Sequence, residues 1–161
     1  MLVKEIMTRN PITVTDKTEI MAVAKILLDN RINGVPVLDG AGNLVGIVCQ
    51  SDLIAQQKQL PMPSLFSFLD GYISLQSPKS MEKAVRKIAA TTVADAMTAN
   101  PVTVAPDSGI ETVAALMVDH NLHTLPVVEH GQLVGVVGKE DILRTLMPAE
   151  PSPTKETSHD H

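Results

Sequence analysis

The sequence predicts an α+β protein of two tandem β-α-β-β-α units packed sheet to sheet, and three observations carry that expectation. The first is repetition: residues 3–39 align without gaps to 93–129, and 42–53 align to 131–142, with 19 of the 49 aligned pairs identical. Self-similarity at this level marks a duplicated unit. The second is that each copy carries an apolar stripe of helical period followed by two β-rich runs separated by turn residues. The third is composition. Of the 161 residues, 44% are hydrophobic but only 2% aromatic, so the cores must be aliphatic. One unit alone is too small to bury its apolar face, which requires the two copies to pack together.

The elements follow in order, with the second copy's positions in parentheses. A short strand is expected over 12–14 (102–104). A helix over 18–30 (108–120) comes next, with Ile20, Val23, Ala24 and Leu27 on one face and Ile110, Val113, Ala114 and Met117 in the equivalent places. Asp16 to Glu19, and Ser108 to Glu111, have the spacing of a capping box at its start. Two strands follow, 35–38 and 44–48 (125–128 and 133–137), joined by Asp39-Gly-Ala-Gly or Glu129-His-Gly, which have hairpin turn chemistry. A last helix begins near Ser51 (Glu140).

The copies are placed at 1–60 and 93–147. Between them, 61–92 holds all three aromatics, Phe66, Phe68 and Tyr72, in a segment expected to cover the module or to dock a partner. Within it, 80–90 reads as an amphipathic helix with Met81, Ala84, Val85 and Ile88 inward and Lys83, Arg86 and Lys87 on a solvated face. Residues 148–161 are rich in Pro and polar side chains, cannot bury enough to fold, and are expected to form a disordered tail.

Charge and composition exclude several functions. With 13 Lys+Arg against 18 Asp+Glu, the net charge is −5, and no basic stripe exists to neutralise a phosphate backbone. Nucleic acid is therefore not an expected partner. No apolar run approaches a membrane span, and the charged N-terminus is unlike a signal peptide, so no membrane partner and a cytoplasmic location are expected. A single cysteine, Cys49, fits a reducing compartment and reads as a small core residue rather than a nucleophile. His159 and His161 are two ligands short of a metal site, and no metal is assigned. No nucleophile-elbow, zinc-protease, P-loop or dinucleotide fingerprint occurs, and no catalytic residue is assigned.

The strongest functional signal is Gly46-Ile-Val-Cys-Gln-Ser-Asp52 and its counterpart Gly135-Val-Val-Gly-Lys-Glu-Asp141. Each sets an aspartate in the first turn of a helix after a small-residue strand end. Such an aspartate either caps its own helix or accepts hydrogen bonds from a ribose diol while neighbouring hydroxyl and N–H groups meet phosphate. Both readings stand on the residues alone.

Met-Thr-x-Asn-Pro-h-Thr-Val, h-Pro-Val-h-Asp/Glu and Gly-h-Val-x-x-x-Asp, where h is hydrophobic, occur in that order in both copies. In this the chain resembles the CBS domain family, named after cystathionine β-synthase, and two copies in one chain resemble a CBS pair or Bateman module. The resemblance implies small three-stranded sheets with helices on one side, packed with pseudo-two-fold symmetry, and a non-catalytic regulatory module. It also implies two clefts for adenosyl ligands such as AMP, ADP, ATP or S-adenosylmethionine, the nucleotide being a regulatory ligand and not a catalytic cofactor. A homodimer and an unidentified protein target are implied as partners. A degenerate, mainly structural pair without a physiological nucleotide is the alternative.

Carried onto this chain, one cleft would combine Ile47, Val48, Ser51 and Asp52 with Thr98, Val102, Thr103, Leu122, His123, Thr124 and Leu125. The other would combine Thr8, Ile12, Thr13, Ile32, Asn33, Gly34 and Val35 with Val136, Val137 and Asp141. The family often has Thr or Ser three residues before the aspartate, where this chain has Cys49 and Gly138. The first cleft keeps Ser51 and gains His123 towards phosphate, whereas the second has the anionic Glu140 and the neutral Asn33. A carboxylate near phosphate is repulsive, so the Asp52/His123 cleft is expected to bind better. Lys139 is the residue that would offset Glu140.

Overall fold

The computed structural model describes residues 1–59 and 91–147. The aromatic segment, the amphipathic helix at 80–90 and the tail with His159 and His161 lie outside the described residues. Each copy opens on a one-turn helix, α1 (Val3–Ile6) or α4 (Val93–Ala96), and a two-residue strand, β1 (Thr8–Arg9) or β5 (Thr98–Ala99). In the first copy β2 (Val14–Thr15), α2 (Ile20–Asn30), β3 (Gly34–Leu38), β4 (Leu44–Cys49) and α3 (Gln50–Gln59) follow. The second copy continues with α5 (Ile110–Asp119), β6 (Thr124–Glu129), β7 (Gln132–Gly138) and α6 (Lys139–Arg144).

The leading segments are exchanged between the copies. β1 pairs antiparallel with β7, so Thr8 lies opposite Val136, and β5 pairs antiparallel with β4, so Thr98 lies opposite Ile47. One sheet therefore has the expected three strands, β1-β7-β6, and the other has four, β2-β3-β4-β5. The exchange extends to the cores. Val3 is fully buried among Val104, Val113, Met117, Leu125, Val127 and Val137 of the second copy. Val93 is fully buried among Val14, Val23, Leu27, Val35, Val37 and Val48 of the first. Both cores are wholly aliphatic apart from Met117, as the composition requires.

Helix starts differ from the capping-box expectation, for a physical reason. The hydroxyl of Thr18 accepts from the N–H of Thr15 at 3.1 Å, and that of Ser108 accepts from Ala105 at 3.2 Å, so both close the preceding turn. The first helical amides are satisfied by the exchanged backbone instead: Ile20 N–H donates to the Thr91 carbonyl and Ile110 N–H to that of Met1, both at 3.2 Å. A non-local carbonyl replaces a local side chain, and the helices begin two residues later than expected. The early strand likewise sits at Val14–Thr15 rather than 12–14, and in the second copy it shrinks to a single parallel bridge, Val104 to Val127.

The helix ends prepare the site. After α2 the chain turns through Arg31 at φ 53°, and Ile32 N–H donates back to the Leu27 carbonyl at 3.0 Å. The equivalent position of the second copy, Asn121, has the same φ of 53°. Asn tolerates this left-handed conformation, whereas a residue such as Arg is strained there by roughly 1–2 kcal/mol. The strand pairs are closed by turns of matching chemistry. His130 and Gly131, both at positive φ, join Glu129 to Gln132 in a two-residue hairpin. In the first copy Asp39 Oδ1 accepts the N–H groups of Ala41 and Asn43, each at 2.9 Å. These hydrogen bonds, that from Asn43 foremost, hold the Asp39 carboxyl below the usual carboxylate range.

Candidate functional site

Strand alternation decides which side chains can reach a ligand. Val35, Val48, Leu125 and Val137 point into the aliphatic cores and are 1% exposed or less, so their side chains do not line a cleft as expected. Their neighbours one residue away, Gly34, Thr124 and Val136, face an open cavity of about 220 Å³. The β1–β7 register brings Thr8 to that cavity from the first copy, and Ile32, Asn33 and Asp141 complete the set expected for the second cleft. Ile12 and Thr13 are exposed and do not line it.

His123 and Thr124, expected beside Asp52, line this same cavity. The reason is local: Lys139 N–H donates to the His123 carbonyl at 3.0 Å, tying the start of β6 to the start of α6 within one copy. The matching bond in the first copy runs from Gln50 N–H to the Asn33 carbonyl at 2.8 Å. Around Asp52, the β4–β5 register sets Thr98 opposite Ile47, while Ser51, Val102 and Thr103 are exposed and Leu122 packs against the second core.

Both aspartates cap their own helices. Asp52 Oδ2 accepts the Cys49 N–H at 2.7 Å, and Asp141 Oδ2 accepts the Gly138 N–H at 2.8 Å. Each carboxylate keeps its second oxygen for other work, and there the copies differ. Asp141 Oδ1 lies 3.2 Å from Arg144 Nη1, whereas among the described residues Asp52 Oδ1 has no partner. Partial burial raises the Asp52 carboxyl, opposed by its hydrogen bond from Cys49. Burial, followed by the Asp52 charge, pushes the Cys49 thiol up to about 11. It stays protonated at neutral pH and is a packing residue, not a nucleophile.

Three cavity residues were not anticipated: Asn30, Arg31 and Arg144. Glu140 lines the cavity as expected, but Arg144 Nη2 lies 3.9 Å from its Oε2, so this carboxylate has a cation beside it. The spacing Glu140, Asp141, Arg144 is an i,i+4 and i,i+3 arrangement on one helix face, a signal that the sequence does carry. No cluster of three or more His, Cys, Asp or Glu side chains able to hold a metal occurs among the described residues. No helix among them is long and apolar enough to cross a membrane.

Two α+β copies that lend each other their leading strands, with a cleft lined from both, define a tandem-repeat pair. A family model for the CBS domain matches residues 3–58 and 93–148, and the chain belongs to that family as a CBS pair. It is similar to an uncharacterized protein of Methanocaldococcus jannaschii, 32% identical over 157 residues and covering 91% of this chain and 92% of that one. L-aspartate semialdehyde sulfurtransferase of the same organism is 31% identical, but this chain spans only 23% of its length. Among solved structures, a CBS domain pair in complex with 5′-methylthioadenosine and S-adenosyl-L-methionine is 31% identical with a TM-score of 0.65, covering 91% of this chain and 95% of that one. The structure of CBSX2 from Arabidopsis thaliana in complex with AMP is 25% identical with a TM-score of 0.67, covering 90% and 95%.

Proposed function

We propose that the chain is a non-catalytic regulatory module that senses adenine nucleotides, AMP, ADP or ATP, in its inter-repeat clefts. The observation that carries this reading is the cavity in which Thr8 and Asn33 of the first copy meet Val136 and Asp141 of the second. Adenine would lie against aliphatic side chains and backbone, and the aspartate would accept from the ribose hydroxyls. Adenosyl ligands in two similar CBS pairs support the reading. A ligand held by both copies shifts their arrangement to the extent that it prefers one of them, which is all a sensor requires.

Calorimetric titration of the intact protein with AMP, ADP, ATP and S-adenosylmethionine tests it. At least one nucleotide should bind. Asp52→Ala and Asp141→Ala should each weaken the corresponding cleft about 10- to 100-fold, the worth of a hydrogen bond to a charged group. No binding at millimolar concentration would leave the second reading, a structural pair acting through protein contact; tighter binding of S-adenosylmethionine would move the ligand class instead.

We further propose that the chain pairs with a second copy of itself through its helices. Leu28 and Ile54 of the first copy are 71% and 68% exposed, and their repeat equivalents Val118 and Leu143 are 80% and 57% exposed. Duplication thus sets the same apolar pair on both halves, which gives a self-complementary face suited to a two-fold dimer. Light scattering at tens of micromolar should give twice the chain mass, and Leu28→Glu with Val118→Glu should give the monomer. A wild-type monomer would refute the pairing.

A further inference from the structure

We propose that the Asp141 cleft is a cation-lined site that selects its ligand by negative charge, taking di- and triphosphate nucleotides ahead of neutral or cationic adenosyl compounds. This rests on the adenosyl-binding reading above and goes beyond it. The cavity is lined by three permanent cations, Arg31, Lys139 and Arg144, and two carboxylates, Glu140 and Asp141. Arg144 lies beside both carboxylates, 3.2 Å from Asp141 Oδ1 and 3.9 Å from Glu140 Oε2. The repulsion expected of Glu140 is thereby reduced at its source. Arg31 and Lys139, one from each copy, line the same open space, and neither forms an ion pair among the described residues.

The repeat supplies an independent observation. Arg31 occupies a left-handed backbone position where the second copy has Asn121 at the same φ of 53°. A residue that tolerates this conformation stands in one copy, and a strained arginine that lines the cavity stands in the other. Arg144 is equally one-sided, since its repeat equivalent is Ala55. The two clefts therefore differ in charge by features of the chain itself. A guanidinium on one wall and an ammonium on the other suit a phosphate chain held between them.

The test is a titration of wild type, Arg31→Gln, Lys139→Gln and the double variant with 5′-methylthioadenosine, S-adenosylmethionine, AMP, ADP and ATP. Amide resonances of Gly138 to Asp141 report this cleft, and those of Cys49 to Asp52 report the other. In wild type, affinity at the Gly138–Asp141 resonances should rise from 5′-methylthioadenosine through AMP to ATP, with S-adenosylmethionine weakest, and the ranking should flatten with added salt. The double variant should lose about tenfold or more in ATP affinity while 5′-methylthioadenosine stays within twofold. Thermal melts should be unchanged or slightly raised, because neither side chain makes an ion pair among the described residues. Unchanged ATP affinity in the double variant, ATP no tighter than 5′-methylthioadenosine, or shifts confined to Cys49–Asp52 would each overturn the charge selection and leave adenosyl binding intact. Failure of every compound to bind wild type would overturn the adenosyl reading itself, and this inference with it.

Discussion

Deleting residues 1–9 is expected to unfold the second copy of the repeat, ninety residues away in sequence, while leaving the first copy's core intact. Val3 is fully buried in the second core, and Ile6 and Met7 pack against it. β1 also forms one edge of that copy's sheet. Removing the segment exposes the faces those side chains cover, and burying one aliphatic side chain is worth about 1.5–3 kcal/mol. It also frees the amide of Ile110, which donates to Met1, and the Ser108 and Pro106 carbonyls, which accept from Val3 and Lys4. The loss of several kcal/mol is comparable with the whole stability of a small domain, about 5–15 kcal/mol. Hydrogen exchange should show protection lost first in 110–119 and 124–138, with 34–38 and 44–49 retained longer. Uniform loss, or loss confined to the first copy, would contradict the exchanged architecture. Val93→Ala is the mirror control and should weaken the first copy, because Val93 is buried among Val23, Leu27 and Val48.

The elements that were legible in the sequence are those fixed by local chemistry. β3, β4, β6 and β7 were read to within two residues because the β-rich runs are bounded by Asp39–Asn43 and by His130-Gly131, whose turns need residues of just those kinds. The exchange of α1, β1, α4 and β5 was not legible, since it depends on pairings between residues about 50 to 130 positions apart. The misplaced helix starts have the same origin: Asp16 and Ser108 have the spacing of caps, but distant backbone takes the orphan amides of Ile20 and Ile110. The candidate site divides in the same way. Thr8, Asn33, Gly34 and Asp141, which the motif marks, all line the cavity. Val35, Val48, Leu125 and Val137 were included although strand alternation, visible in the sequence, sends every second side chain to the core. Arg31 carries no such mark, because its place in the cavity lining depends on the turn after α2, where it sits at positive φ.

Gly135→Ala is expected to abolish ligand binding in the Asp141 cleft and to destabilise the protein. A Cβ at 135 would stand 2.8 Å from the Thr8 carbonyl oxygen and 2.9 Å from the Met7 sulfur. The methionine can swing aside, but the carbonyl belongs to β1, whose Arg9 lies opposite Gly135. Relief therefore requires β1 to move away from β7. That shift displaces Thr8 from the cavity wall and loosens Val3, Ile6 and Met7 in the second core. An overpacked site of this kind costs about 1–3 kcal/mol, and any ligand must in addition meet a wall in the wrong place. Gly46→Ala carries the same conflict in the other copy, with the Cβ 2.9 Å from the Thr98 carbonyl oxygen and 2.6 Å from the Met97 sulfur. Gly40→Ala is the control, since nothing lies within 4 Å of its Cβ. Thermal melts and nucleotide titrations on the three variants separate the effects. Gly135→Ala and Gly46→Ala should lower Tm and each remove binding at one cleft, while Gly40→Ala leaves both. A Gly135→Ala protein with wild-type Tm and wild-type affinity would show that β1 is not held against β7 at the cleft, and the cavity lined by Thr8 and Val136 would not be the binding site.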